Sequence, residues 1–99
     1  ELNQPQTPLG KYGRMRRTFL RENRPVLYNH LLLSGTLYPH LAEIDQAAKQ
    51  RLEQMMPALT QAAGATEELK ARDPMQWTSR MNACKAQAEE ILMAELINS

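Results

Sequence analysis

Leu37–Ala63, LYPHLAEIDQAAKQRLEQMMPALTQAA, is the stretch that decides the fold. Leu37, Leu41, Ile44, Ala48, Leu52, Met55, Leu59 and Ala62 follow one another at steps of three or four, the period of a helix. A strand would need alternation of period two, which appears nowhere in the chain, and valine occurs once, at Val26. Asp45, Lys49 and Glu53, at i, i+4 and i+8, read as the solvated side of the same helix. Thr36 is placed to cap its start and Gly64 to end it. Pro57 has no amide hydrogen and crowds the carbonyl one turn back, so a kink is expected near residues 53–56.

C-terminal to this helix, Thr66-Glu67-Glu68-Leu69-Lys70 reads as a short helical segment with acids at its start and a base at its end. Asp73-Pro74-Met75-Gln76 has the form of a capping box, with Asp73 at the N-cap and Pro74 at the first helical position. Trp77, Met81, Cys84, Ala88, Ile91 and Glu95 then alternate steps of four and three, widened by Leu92 and Leu96, and predict a final helix to about Ile97. Two long amphipathic helices joined by a short linker favour an antiparallel hairpin, and Ala47, Ala48, Ala83 and Ala88 allow close approach. Trp77 is expected at its base, against residues 57–59.

On the N-terminal side, a helix over residues 13–22 is expected to place Tyr12, Met15 and Phe19 on one apolar stripe. Arg24-Pro25 breaks and restarts the chain. Residues 25–34 are apolar around most of a helical circumference, which predicts a buried helix closed by Gly35. The expected architecture is all-α: a small helical bundle, two short N-terminal helices packed on a long antiparallel helical hairpin. Residues 1–10, with two prolines, read as an extended or disordered arm, and residues 11–99 as a single helical domain. The chain begins at Glu1 rather than Met, so a native start upstream is expected.

Composition narrows the function. The 99 residues hold 12 Lys and Arg against 11 Asp and Glu, so net charge names no partner. One cysteine excludes an intramolecular disulfide. No apolar run is long enough to cross a membrane, and no basic segment followed by an apolar one opens the chain as a secretion signal. The charge is nevertheless segregated. Residues 1–36 carry Lys11, Arg14, Arg16, Arg17, Arg21 and Arg24 against Glu1 and Glu22, a formal +4, whereas residues 37–99 carry six bases and nine acids, a formal −3. At 100° per residue, Arg14, Arg17, Arg21 and Arg24 fall within an arc of about 80°, Lys11 extends one edge, and the arc lies opposite Tyr12, Met15 and Phe19. Arginine forks match phosphate oxygens, so Lys11, Arg14, Arg17, Arg21 and Arg24 form a candidate nucleic-acid-binding face. The plainer account is a solvated face, or charge pairing with acids of the same molecule or of a second copy. Base-specific readout has little support, since the second helix is too apolar to lie in a groove.

Catalytic patterns are missing. His40 and Glu43 are the one pairing at metal-ligand spacing, in the reverse order to a Glu-x-x-His site and without further carboxylates. His40 is therefore expected to help local capping and His30 to sit at the core edge. Cys84 lies on an apolar stripe with no activating base. Glu67-Glu68 and Glu89-Glu90 are sequence neighbours that point about 100° apart on a helix and cannot easily share a proton or a metal. Met55, Met56, Met75, Met81 and Met93 read as core filler before they read as a binding groove. No phosphate loop and no nucleophile triad appears. No catalytic residue, cofactor or metal is expected.

GKYGRMRRTFL (residues 10–20), LYNHLLLSGTLYPHLAEIDQAAKQRL (27–52) and MNACKAQAEEILMAELI (81–97) resemble the TnpV family of small proteins encoded on bacterial transposons and related mobile elements. The resemblance runs from about Leu9 to Ser99. Members usually carry a further N-terminal stretch rich in Tyr, Asp and Pro, which this chain does not show. The resemblance implies a cytoplasmic protein associated with DNA transactions, and it carries over no site residue. It does not imply a transposase, for the chain is too short and too helical for an RNase-H-like core and lacks the spaced acids of one. The expectation is a non-enzymatic accessory protein of a transposon or mobile element that touches DNA phosphates through its first helix. The alternative is a protein-interaction or homo-oligomerisation module, pairing with itself or with an element-encoded protein, with no nucleic-acid binding. Neither needs a membrane.

Overall fold

Two glycines with positive φ, Gly35 at 77° and Gly64 at 75°, set the ends of the second and third helices in the computed structural model, which describes residues 8–99. Both ends close in the same way. Thr36 N–H reaches the Leu31 carbonyl and Gly35 N–H the Leu32 carbonyl; Ala65 N–H reaches the Thr60 carbonyl and Gly64 N–H the Gln61 carbonyl. That paired bonding uses up orphan carbonyls and needs a left-handed residue, which glycine adopts without steric cost. The elements are α1 (Lys11–Asn23), α2 (Pro25–Leu33), α3 (Leu37–Ala63), α4 (Glu67–Arg72) and α5 (Pro74–Leu92), the last continued by a π-helical turn, Met93–Ile97. The described residues contain no strand, and the all-α architecture is as the periodicity predicts. The expected arm over residues 1–10 falls, up to residue 7, outside the described residues.

The chain divides into two compact units, residues 1–46 and 47–99, with the division inside α3. In the first unit Leu20, Leu37 and Leu41 form the core, and Leu9, Phe19, Leu27, Tyr28 and Leu31 pack against it. Gly13 N–H and Gly10 N–H point to Asp45 of α3, donating to Oδ1 at 3.2 Å and to Oδ2 at 3.1 Å. Gly10, the N-cap of α1, has no capping side chain and α1 has no acid in its first turn, so Asp45 supplies the cap from another helix. The expectation that Asp45 is solvated is corrected: it is buried, because the N-terminus of α1 covers it.

α2 departs further from expectation. It starts at Pro25 and carries no buried residue. Leu27, Tyr28 and Leu31 face the core, while Val26 is 83% and Leu33 86% exposed. A helix apolar on both sides was expected to be covered on both sides; here packing covers one.

In the second unit α5 runs antiparallel to α3. Cys84 Sγ lies 3.4 Å from the Leu59 carbonyl, and Arg80 Nη1 donates to the Ala63 carbonyl at 2.9 Å. Arg51 meets Glu95 through two hydrogen bonds of 3.1 and 3.3 Å, so partners on α5 descend as α3 ascends. Ala48, Met55, Leu69, Cys84, Ala88, Leu92 and Ile97 are buried. Thr66 caps α4 by accepting from Leu69 N–H, and Asp73 caps α5 by accepting from Gln76 N–H, the second as its capping box predicts. The π-helical turn is what the 4-3 spacing leaves unread. Its wider step carries Ile97 into the core while Glu95 stays half-exposed against Arg51. Trp77 is half-buried, with Lys70 Nζ of α4 4.7 Å from its ring centre. α3 runs through Pro57 to Ala63 as one helix.

Candidate nucleic-acid interface

α1 sets the geometry of the basic face. Its buried residues are Tyr12, Gly13, Arg16 and Leu20, whereas Met15 and Phe19 are only half-buried. On a wheel of 100° per residue this turns the covered side roughly 80° from the stripe expected at Tyr12, Met15 and Phe19. The cause is visible at Gly13, where an added Cβ would come within 3.0 Å of the Leu41 carbonyl oxygen. With no side chain there, α1 seats its backbone on α3. The arginine arc therefore flanks the buried side instead of opposing it.

The candidate residues separate accordingly. Lys11 is exposed, its Nζ 5.7 Å from the Tyr12 ring centre. Arg14 is exposed and donates through Nη1 to the Leu9 carbonyl at 3.2 Å. Arg21 is exposed in the last turn, where the helix dipole favours a cation. Arg17 is half-buried, with its Nε buried and lacking a hydrogen-bond partner. Arg17 and Tyr38, whose hydroxyl is likewise buried without a partner, line an open hollow of about 370 Å³ with Pro8, Leu9, Arg14, Leu37 and Leu41. Arg24 is exposed but leaves the helix, at φ −135° and ψ 60°, so the projection that put it on the arc stops at Asn23. Lys11, Arg14, Arg17 and Arg21 thus share α1, and Arg24 stands at the break before α2. Among the described residues, no carboxylate lies within ion-pair distance of Arg14, Arg17, Arg21 or Arg24.

Arg16, which the helical projection leaves off the basic arc, is a core residue that the sequence reading did not place there. It is 7% exposed, and Nε donates to His40 Nε2 at 3.3 Å with the guanidinium 5.7 Å from the Phe19 ring centre. Burial first, and then the charge of Arg24, lower its pKa from the ordinary guanidinium value. His40 accepts that bond as a neutral imidazole protonated on Nδ1. Burial, then Arg16, hold it below its ordinary 6.5 against the opposing pull of Glu43. His40 is thus a partner of Arg16 instead of a capping residue, and His30, expected at the core edge, is exposed. The available signal was the i, i+4, i+8 series Tyr12, Arg16, Leu20, which puts Arg16 between two core residues.

Among the described residues no cluster of three or more His, Cys, Asp or Glu is placed to hold a metal ion, and no helix is long and apolar enough to cross a membrane. Cys84 is buried beside the Leu59 carbonyl. A small all-α protein with a cationic first helix is what the fold and this surface define. The model of the transposon-encoded protein TnpV family matches residues 1–97, and the chain belongs to that family. Comparisons with curated proteins and with solved structures give no match.

Proposed function

We propose that this transposon-associated protein is a non-enzymatic accessory factor that works in the cytoplasm and lies against DNA through Lys11, Arg14, Arg17, Arg21 and Arg24. The observation that supports it is the lack of any carboxylate partner for the four arginines among the described residues, since structural ion pairs would have consumed their charge. Guanidinium groups on consecutive turns of α1, with Arg24 beyond its end, suit contacts to successive phosphates. Such contacts position the protein on a duplex without reading sequence.

Neutralising four or five phosphates predicts a log–log dependence of affinity on salt with a slope of about −4. A fluorescence-anisotropy titration of a short duplex at several salt concentrations measures it. Arg14→Glu with Arg21→Glu should abolish binding at low salt while leaving the helical circular dichroism intact. A slope near zero, or equal binding by that variant, overturns the proposal. The competing reading, a self-associating module, is favoured by a different observation, the exposed apolar side of α2.

A further inference from the structure

The side of α2 turned away from its core carries Val26, Asn29, His30 and Leu33, at i, i+3, i+4 and i+7, and all four are exposed. Its two ends differ in shape. Leu33 projects at the C-terminal end, 86% exposed. At the N-terminal end a hollow of about 530 Å³ lies among Asn23, Arg24, Pro25, Val26, Leu27 and His30. A projecting side chain and an open hollow on one short helix, separated by about 10 Å along its axis, fall opposite each other when the helix is turned end for end. We propose that α2 pairs with α2 of a second copy of this chain, antiparallel about a twofold axis passing between Asn29 and His30.

Symmetry carries the choice of occupant. In that arrangement Leu33 of each copy enters the hollow beside Val26 of the other, and the two contacts are identical, as a closed twofold interface requires. Asn29 and His30 meet their counterparts at the axis, so polar groups face polar groups and apolar ends face apolar ends. Charge selects the orientation. α2 contains no Asp, Glu, Lys or Arg, and Arg24 stands at its N-terminus. Antiparallel pairing sets each Arg24 by the partner's helix C-terminus, where the negative end of the helix dipole favours a cation, and keeps the two Arg24 groups apart. Parallel pairing would place them side by side. A nine-residue helix is about 13 Å long and covers well under the roughly 800 Å² per partner of a standard interface. The dimer is therefore weak and dissociates on dilution.

Sedimentation equilibrium of the full chain up to about 1 mM tests the pairing, because a weak interface is populated there. The mass rises towards twice 11.3 kDa with concentration, and Leu33→Glu raises the dissociation constant roughly a hundredfold or more, since the twofold counts the loss twice. Leu33 is open to solvent in the single chain, so unchanged circular dichroism shows that the variant still folds. Orientation is read by cysteine pairing. Val26→Cys mixed with Leu33→Cys forms the mixed disulfide at least about tenfold faster than Val26→Cys alone, because antiparallel helices hold the two copies of residue 26 beyond the ~7 Å Cα limit. A mass of 11.3 kDa throughout, a dimer that Leu33→Glu does not weaken, or Val26→Cys self-pairing as fast as the mixture would each overturn the proposal. Arg14→Glu with Arg21→Glu leaves the mass unchanged, so failure of phosphate binding and failure of pairing are separable.

Discussion

Asp45 holds the first turn of α1 with both carboxylate oxygens, joining residues 35 and 32 positions apart in the chain. Asp45→Ala leaves the amide hydrogens of Gly10 and Gly13 without an acceptor and is expected to lower the free energy of unfolding by about 2 kcal/mol, measured by urea titration. Asp45→Asn, which keeps one carbonyl oxygen, should recover part of that loss. The opposite end of a helix receives the same treatment from Arg80. Its Nη1 bonds the Ala63 carbonyl, while the Gln76 amide oxygen, turned toward it, accepts from Nη2 at 3.1 Å and Nε at 3.2 Å. Lysine offers a point charge in place of this fork, so Arg80→Lys is expected to cost stability nearly as Arg80→Ala does. His40 supplies a pH dependence whose sign follows from its lowered pKa. The unfolded chain takes up the proton at the ordinary 6.5 and the folded chain only at lower pH. The contribution of His40 is therefore complete above about pH 6.5 and is lost as pH falls through the lowered folded value. Urea midpoints at about pH 7.5 and pH 5 should differ less in His40→Gln than in the wild type. Neither Asp45 nor Arg80 announces its role in sequence, because each acts on a helix end brought close only by folding.

At the scale of elements, what was legible was what depends on neighbours in the chain. The cap at Asp73, the glycine ends at Gly35 and Gly64, and the span of α3 follow from local spacing and backbone freedom. The rotation of α1 was not legible, since it depends on how closely Gly13 approaches Leu41. Nor was the exposure of α2: apolar residues on all sides say that a helix wants cover, and composition does not say whether its own chain provides it. The basic face was legible as a set of residues, but its edge was not, because Arg24 ends the helical projection and Arg17 sits at the margin of the buried side. Pro57 gives α3 its own prediction. Without an amide hydrogen at Pro57, the Glu53 carbonyl lacks its helical donor. The Pro57 side chain is exposed, so Pro57→Ala is expected to stabilise the protein by up to about 3 kcal/mol, read as a higher thermal midpoint. No gain would mean that the Glu53 carbonyl already has a satisfactory partner.

For the whole molecule, the arginine cluster and the aromatic groups sort between the two units. The arginines proposed to meet phosphate all belong to residues 1–46, as does α2, so both proposed surfaces are carried by the first unit. Salt is expected to weaken one and barely touch the other, because α2 has no charged side chain of its own. Tyr12, Tyr28 and Tyr38 also lie in that unit, while Trp77, the one tryptophan, lies in the other with Lys70 over its ring. The protein thereby carries a separate optical label in each half. Tyrosine absorbance and tryptophan emission, followed in one thermal ramp, show whether the halves melt as a single cooperative block or in sequence.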